Sequence, residues 1–395
     1  MRVQPYRVSM VSSVITVLIF MPVLFYPPLL FTPQISTSVR VGLFILLVAY
    51  LFGATKRFRK KDLFIVSLLA VLFSSLIVIN MDSLDGLVTA GSVTLTLVFA
   101  YALSRAVEMN DRIKNNLVKL YTSFFILVPI CSFMSIIFLS IFGELNLFNI
   151  HSGGQNFLHT PFGVILEKDV LGFGIYRSFF FFQEPVVLAL FYAANIFLVA
   201  PNLEKQSRFF STVNIIGGLL TFSYFFIVLS IILYFSKTTI LSRENASRRL
   251  LLACFIIIII VTTGFFSSSS MDDRIIRMNI FFPVADKMSA LQFLFGQGFM
   301  QETGFGKSFS AGFLLAIYEI GIVNLVVLML LTVILTNISK HIFILFFFTM
   351  LVFEPTKLPL FWVLVIVLSV LLQDKRRIKS SSILQCSPLV YKKSC

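Results

Sequence analysis

The feature that most constrains this chain is a series of apolar runs, most of them about 20 residues long and nearly free of charge. A run of about 20 apolar residues is long enough to cross the hydrocarbon core of a bilayer as a helix. The composition agrees, because 58% of the residues are hydrophobic and 13% are charged, against roughly 25% charge in soluble domains. The sequence therefore predicts an all-α polytopic membrane protein and excludes a soluble enzyme built around one core.

Two of the ten apolar runs are predicted to cross the membrane twice. The runs cover 8–30, 39–55, 63–80, 86–104, 117–142, 185–200, 209–236, 250–266, 309–336 and 342–373. Both 209–236 and 342–373 have basic residues at each end, which a single crossing would place on opposite sides. Gly217-Gly218 and Ser223 indicate a break in the first of them, and 354–359, which contains two prolines, indicates an outer turn in the second. We therefore expect about 12 transmembrane helices, within a range of 10–12, in a single integral membrane domain over 1–395.

The charge distribution predicts the orientation. The net charge is +14, and the basic residues lie between the apolar runs, which is typical of a topology signal rather than of a nucleic-acid-binding surface. With both termini in the cytoplasm, 24 of the 32 Lys and Arg residues fall on the cytoplasmic side, as the positive-inside rule requires. The same model makes 375–395 a cytoplasmic basic tail. No nucleic acid partner is predicted.

Two segments are too long to be simple turns and are expected on the outer face. They cover about 143–184 and about 267–308, and both are rich in Gly, Ser, Asn and charged residues. Long loops on a rigid scaffold commonly carry binding and catalytic residues. No internal repeat or separate soluble domain is evident, so these two outer loops are the expected location of function.

Three arginines in these loops are the candidate anion-binding residues. Arg177 precedes the Glu184-Pro185 pair that begins the next helix, and Arg274 and Arg277 are three residues apart on one predicted helix face. Paired guanidinium donors suit the oxygens of a diphosphate. The alternative is that these arginines extend to lipid headgroups or pair with neighbouring acids.

Two acids are candidates for a general base. Glu184 lies beside Arg177 and a phenylalanine run, and Glu319 lies well inside an apolar run, where acids are functional candidates. Capping the helix or pairing with Arg177 is the alternative for Glu184, and pairing with a neighbouring helix is the alternative for Glu319. His151 and His159 lie in the first loop but are expected to be exposed. The cysteines have no metal-ligand or disulfide-framework spacing, and Glu167-Lys168-Asp169 is too common a pattern to indicate a metal site, so no metal and no cofactor are predicted.

Four segments together resemble the bacterial polysaccharide repeat-unit polymerases, the Wzy-type members of the O-antigen polymerase and ligase superfamily. They are an Arg followed by an aromatic run and Glu-Pro (177–185), a Thr-Phe-Ser turn (221–223), a Leu-Phe-Gly-Gln-Gly-Phe segment (294–299) and a helix with Glu-x-Gly-Ile (310–322). Their order and spacing carry the resemblance, which covers the chain from about 117 onward. The ligase branch typically has His-Asn where this chain has Ser310-Ala311, which favours the polymerase.

The resemblance implies a glycosyltransferase that joins undecaprenyl-diphosphate-linked oligosaccharide repeats at the outer face of the bacterial inner (plasma) membrane. The product would be O-antigen, capsule or exopolysaccharide. It also implies a lipid-linked oligosaccharide substrate, a surrounding membrane lipid and two partners, a flippase and a chain-length regulator. Inverting transfer without metal would use Arg177, Arg274 and Arg277 on the departing diphosphate and Glu184 or Glu319 as the base. A transporter or flippase of lipid-linked sugars, and an O-antigen ligase, remain the alternatives.

Overall fold

A computed structural model describes residues 37–53, 59–143, 156–170, 173–180, 185–203, 207–238, 283, 286–299, 312–336 and 359–385. Within these ranges the helices are α1 (Thr37–Gly53), α2 (Lys60–Ile79), α3 (Leu84–Met109), α4 (Asp111–Phe142), α5 (Pro185–Ala194), α6 (Ser207–Leu220), α7 (Tyr224–Thr238), α8 (Ala290–Phe295), α9 (Gly312–Thr336) and α10 (Pro359–Gln385). A π-helical turn (Asn195–Val199) and a 3₁₀ turn (Ala200–Asn202) follow α5. The strands are β1 (Asn156–Thr160), β2 (Gly163–Val170) and β3 (Phe173–Phe180).

Among the described residues, four helical segments are long and apolar enough to cross a membrane. They are Lys60–Ile79, Leu84–Met109, Asp111–Phe142 and Leu315–Leu335. Large apolar side chains such as Leu63, Phe64 and Val71 are exposed along α2, as on a helix that faces lipid. These helices support the prediction of a helical membrane protein. The number of twelve crossings stays a prediction, because runs 8–30 and 250–266 lie outside the described residues.

The helix α10 occupies the centre of the bundle. Every side chain from Leu360 to Val370 is buried, and Trp362 is fully enclosed. A helix that is apolar on all sides needs neighbours on all sides, and α10 contacts α3, α4, α9 and the turns after α5. The core of the protein therefore surrounds this helix.

The predicted break in the run 209–236 is confirmed. The helix α6 ends at Leu220 and α7 begins at Tyr224, so residues 221–223 form the turn between them. Both helices pack against α5. For the run 342–373, the described part begins at Pro359, where proline suits the first helical position. The helix α10 continues to Gln385 and so extends into the segment 375–395, whose position in the cytoplasm stays a prediction.

The prediction of an all-α chain is wrong for the first outer loop, which contains a three-stranded antiparallel sheet in the order β1-β2-β3. Thr160 pairs with Gly163 across a two-residue turn, and Leu166 pairs with Arg177 between β2 and β3. Val164, Ile165 and Leu166 are all buried. Strands covered on both faces have continuous apolar runs instead of alternation, so this strand lacked the period-two signal.

The sheet packs against the side of α4 rather than beyond its end. The Thr160 hydroxyl lies 2.8 Å from the hydroxyl of Ser135 and donates to the carbonyl oxygen of Gly163 at 2.9 Å. Ser135 is seven residues before the last residue of α4, which corresponds to about 10 Å along the helix axis. Extended backbone beside a membrane helix is tolerated where protein surrounds it, and Thr160 is buried.

One basic residue that the charge pattern assigned to topology has a second role. Arg105 is 6% exposed, and its guanidinium contacts Asp62 at 3.0 Å and Glu108 at 2.8 Å. The Asp62 carboxylate also accepts a hydrogen bond from the backbone N–H of Arg59 at 2.6 Å. This buried ion pair joins the beginning of α2 to the end of α3.

Candidate functional site

Arg177 lies on β3 and is held against the α6–α7 turn. Its Nε donates a hydrogen bond to the carbonyl oxygen of Thr221 at 3.0 Å, and the residue is half-buried. The contact joins two positions 44 residues apart in sequence. A guanidinium fixed through one nitrogen keeps a defined orientation, which is what paired donation to an anion needs.

The turn that receives Arg177 has an unusual local structure. The Thr221 hydroxyl donates to the carbonyl oxygen of Gly218 at 2.6 Å. Phe222 has a φ of 43° and is more than half exposed. Ser223 is buried, and its hydroxyl has no hydrogen-bond partner among the described residues. A Cβ on Gly218 would overlap the ring of Phe226, so the glycine leaves room for this ring beside the end of α6.

The other residues predicted near Arg177 lie outside the described part of the chain. These are Glu184, Arg274 and Arg277. The predicted grouping of the three arginines and the role of Glu184 therefore stay predictions. The structure adds Thr221 as the residue that holds Arg177, a relation that sequence separation concealed.

Glu319 lies at a break in α9, immediately before the kink. Gly321 has φ 76° and ψ 167°, which is incompatible with helix. The sequence had placed Glu319 in a continuous span, and the non-helical Gly321 corrects this. The break removes the normal helical partners of the carbonyls that precede it. The backbone N–H of Gln297 donates to the backbone carbonyl oxygen of Tyr318 at 2.8 Å. The backbone N–H of Gly298 donates to the backbone carbonyl oxygen of Glu319 at 3.1 Å.

Residues 296–299, which we call the strap, supply these donors. The approach is so close that a Cβ on Gly296 would lie 2.3 Å from the Glu319 carbonyl oxygen. Gly296 and Gly298 also have φ values of 96° and 98°, in the region that only glycine adopts readily. The Gly-x-Gly spacing noted in the sequence is therefore explained by docking against the α9 break.

Two buried asparagines lie beside the α9 break, and one of them, Asn80, binds the strap. The Asn80 side-chain oxygen accepts from the backbone N–H of Phe299 at 2.6 Å, while its nitrogen donates to the Leu76 carbonyl at 2.7 Å. Asn324, one turn beyond the break, donates to the Ile320 carbonyl at 2.8 Å and lies 2.9 Å from the Ser75 hydroxyl. Both asparagines are buried. Neither was predicted from the sequence, although Asn324 lies inside an apolar run, where a polar side chain is itself a signal.

A second buried polar cluster joins three helices near the π-helical turn. The Tyr121 hydroxyl donates to Asn195 at 2.7 Å, and the Asn195 amide donates to Asn214 at 2.8 Å. Asn214 in turn donates to the Phe210 carbonyl at 2.8 Å. All three side chains are buried, and the amides of both asparagines form hydrogen bonds. Such a complete network favours a role in fixing helix positions.

The two candidate regions belong to different groups of elements. Arg177 belongs to the sheet, which packs on α4, α5 and α6, whereas Glu319 belongs to α9, which packs on α2, α8 and α10. The helix α10 contacts both α4 and α9. Within the part of the chain that the structure describes, no group of three or more His, Cys, Asp or Glu residues is placed to hold a metal.

Comparison of the chain with protein-family models, with curated proteins and with solved structures finds no match.

Proposed function

We propose that this chain is a membrane glycosyltransferase that polymerises undecaprenyl-diphosphate-linked oligosaccharide repeats into surface polysaccharide. The observation that carries the proposal is the pairing of the four segments on which the family resemblance rests. Arg177 from the first segment contacts the 221–223 turn, and the 294–299 segment docks against the helix that contains Glu319 and Gly321. The four segments selected by sequence alone thus form two separate pairs, and this pairing supports the proposal.

The proposed chemistry places the arginines on the leaving group. In polymer transfer the bond from the growing chain to its lipid diphosphate breaks, and an acceptor hydroxyl of the next repeat forms the new glycosidic bond. Arg177, together with Arg274 and Arg277, would stabilise the charge that develops on the diphosphate, since preorganised donors usually make the largest catalytic contribution. Glu184 or Glu319 would accept the hydroxyl proton. No metal or cofactor is part of this proposal.

The proposal includes a topology. The two loops face outward, both termini face the cytoplasm, and the chain lies in the bacterial inner membrane with about twelve crossings. A flippase would deliver the substrate, and a chain-length regulator would limit the product. The 24-to-8 division of basic residues supports this orientation.

A transporter of lipid-linked sugars is the second candidate, and the break in α9 is the observation that favours it. Transporters use unwound helix carbonyls near the midplane to bind ions or substrate. Here the Tyr318 and Glu319 carbonyls already accept N–H groups of the strap, which weakens this alternative. The ligase alternative rests on the superfamily resemblance and is disfavoured by Ser310-Ala311.

The test is polymerisation by the purified protein in lipid nanodiscs with a lipid-linked repeat as the only substrate. The proposal expects a ladder of products with release of lipid diphosphate. In a deletion strain, single-repeat surface glycan is the matching result. Lipid-linked repeats retained on the cytoplasmic face would indicate a flippase, and a lipid core without any glycan would indicate a ligase. Either of those results would overturn the proposal.

A further inference from the structure

The break in α9 depends on a part of the protein that is distant in sequence. Asn80 lies in the turn between α2 and α3, 219 residues before Phe299, whose backbone N–H it binds at 2.6 Å. Its own amide nitrogen is held by the Leu76 carbonyl at 2.7 Å, so the acceptor oxygen cannot turn away. Asn80 is 3% exposed, which makes this a strong and protected contact.

The space around Asn80 is shaped to fit. A Cβ on Gly86 would lie 2.6 Å from the Asn80 side-chain oxygen, and a Cβ on Gly298 would lie 2.9 Å from the same atom. Glycines from two different segments therefore leave room for one amide. A surrounding of this kind fixes the side chain sterically as well as by hydrogen bonds.

The strap connects Asn80 to the backbone of Glu319. Phe299 is bound to Asn80, the preceding Gly298 donates to the Glu319 carbonyl oxygen, and Gln297 donates to the Tyr318 carbonyl oxygen. Because the helix is broken at Gly321, these loop donors replace the helical ones that would otherwise hold this part of the backbone. The strap thus holds the backbone from which the half-buried Glu319 side chain extends, and the strap is itself held by Asn80.

We propose that Asn80 is a positioning residue that acts through the strap to hold the Glu319 carboxylate in its working orientation. This inference rests on the proposed function, with Glu319 as the group that accepts the acceptor-hydroxyl proton. A displacement of about 1 Å in such a group can lower the rate about a hundredfold. Loss of Asn80 should therefore reduce turnover while leaving substrate binding almost unchanged.

The first measurement is independent of activity. Hydrogen exchange of the intact protein in nanodiscs, followed by mass spectrometry, reports the amides of the strap. Asn80→Ala should raise the exchange rate of the peptide that contains 296–299 at least tenfold, because the Phe299 N–H loses its acceptor. The matched control is Asn214→Ala, which removes an equally buried amide from the α4–α6 contact. Asn214→Ala should leave the hydrogen-exchange rate of the strap unchanged. If Asn80→Ala also left that rate unchanged, the inference would be overturned.

The second measurement is turnover per folded protein with lipid-linked repeat. Asn80→Ala should lower kcat at least tenfold with KM within about threefold, whereas Asn214→Ala should change the amount of folded protein and not kcat. Asn80→Ser, which keeps a shorter acceptor, should fall between Asn80→Ala and the unaltered protein, and it replaces Asn80→Ala if that variant does not fold. Equal kcat losses in Asn80→Ala and Asn214→Ala would contradict a positioning role.

The third measurement asks whether Asn80 acts through Glu319. In the Glu319→Asp variant the carboxylate is already displaced. Adding Asn80→Ala to that variant should therefore lower log kcat by less than half of the drop that Asn80→Ala causes in the unaltered protein. Fully additive losses, or full turnover in Glu319→Gln, would overturn the inference while leaving the polymerase proposal intact. Absence of any polymer from the unaltered protein would instead refute the proposed function, and strap exchange would still report on Asn80.

Discussion

The close approach of the strap to the α9 break predicts that Gly321→Ala is severely destabilising. Gly321 has φ 76° and ψ 167°, a combination that is essentially restricted to glycine. An added Cβ would lie 2.4 Å from the backbone nitrogen of Gly296 and from the carbonyl oxygen of Leu294. All of these neighbours are backbone atoms, so a side-chain rotation cannot relieve the overlap.

The magnitude follows from two contributions. The backbone conformation of a non-glycine residue costs about 1–3 kcal/mol. If the strap moves away to make room, the bonds from the N–H groups of Gln297, Gly298 and Phe299 are lost, at about 0.5–1.5 kcal/mol each. The total is about 2.5–7.5 kcal/mol, a large part of the stability of an ordinary protein.

Thermal unfolding of the purified protein in detergent, monitored by size-exclusion retention, measures this loss. The matched control is Gly91→Ala in α3, because nothing lies within 4 Å of a Cβ at that position. Replacing a glycine inside a helix by alanine removes a cost of about 0.5–1 kcal/mol, so the control should melt slightly higher than the unaltered protein. If Gly321→Ala melted together with Gly91→Ala, the argument for a required glycine at the α9 break would be refuted.

Three further predictions concern other contacts. Arg177→Ala should abolish long polymer without loss of protein from the membrane. Arg177→Lys should restore little polymer, because an ammonium lacks the planar paired donors of a guanidinium. Full-length polymer in the alanine strain would remove this residue from the site. Asn214→Leu should lower the free energy of unfolding by about 1–3 kcal/mol, because the Asn195 amide is left without its acceptor; an unchanged melting temperature would contradict the network. Arg105→Met should cost about 3–5 kcal/mol, since Asp62 keeps a buried charge without its partner, and the double variant with Asp62→Leu should recover much of that loss in the same unfolding assay.

The apolar runs were sufficient to predict the helical membrane protein and the turn at 221–223. A turn of this kind is visible in sequence because glycines and a serine interrupt an otherwise apolar run that has basic residues at both ends. The sheet was missed because Val164, Ile165 and Leu166 are covered on both faces and do not alternate. Their pattern resembles a short piece of any buried segment.

Individual candidate residues could be chosen from the sequence, but the contacts that they make could not be predicted. Arg177 and Glu319 were recognisable because charged residues near apolar runs are uncommon. In the contacts described above, their partners Thr221 and Gly298 contribute only backbone atoms, and backbone groups carry no residue-type signal. Asn80 was overlooked because a polar residue at the end of a membrane helix is ordinary, and only the structure shows its distant partner Phe299.

The contact between the sheet and the side of α4 restricts how this segment can be exchanged between proteins. The Pro161-Phe162 turn lies beside α4 near Ser135, whereas the opposite end of β2 is about 26 Å away, as expected for eight extended residues. A graft of the whole first outer loop would bring a foreign hairpin against an unmatched helix surface. Splice junctions placed within β2 and β3 would keep the native anchor. Chimeric proteins should accept new sequence at the β2–β3 end and reject it at the β1–β2 turn.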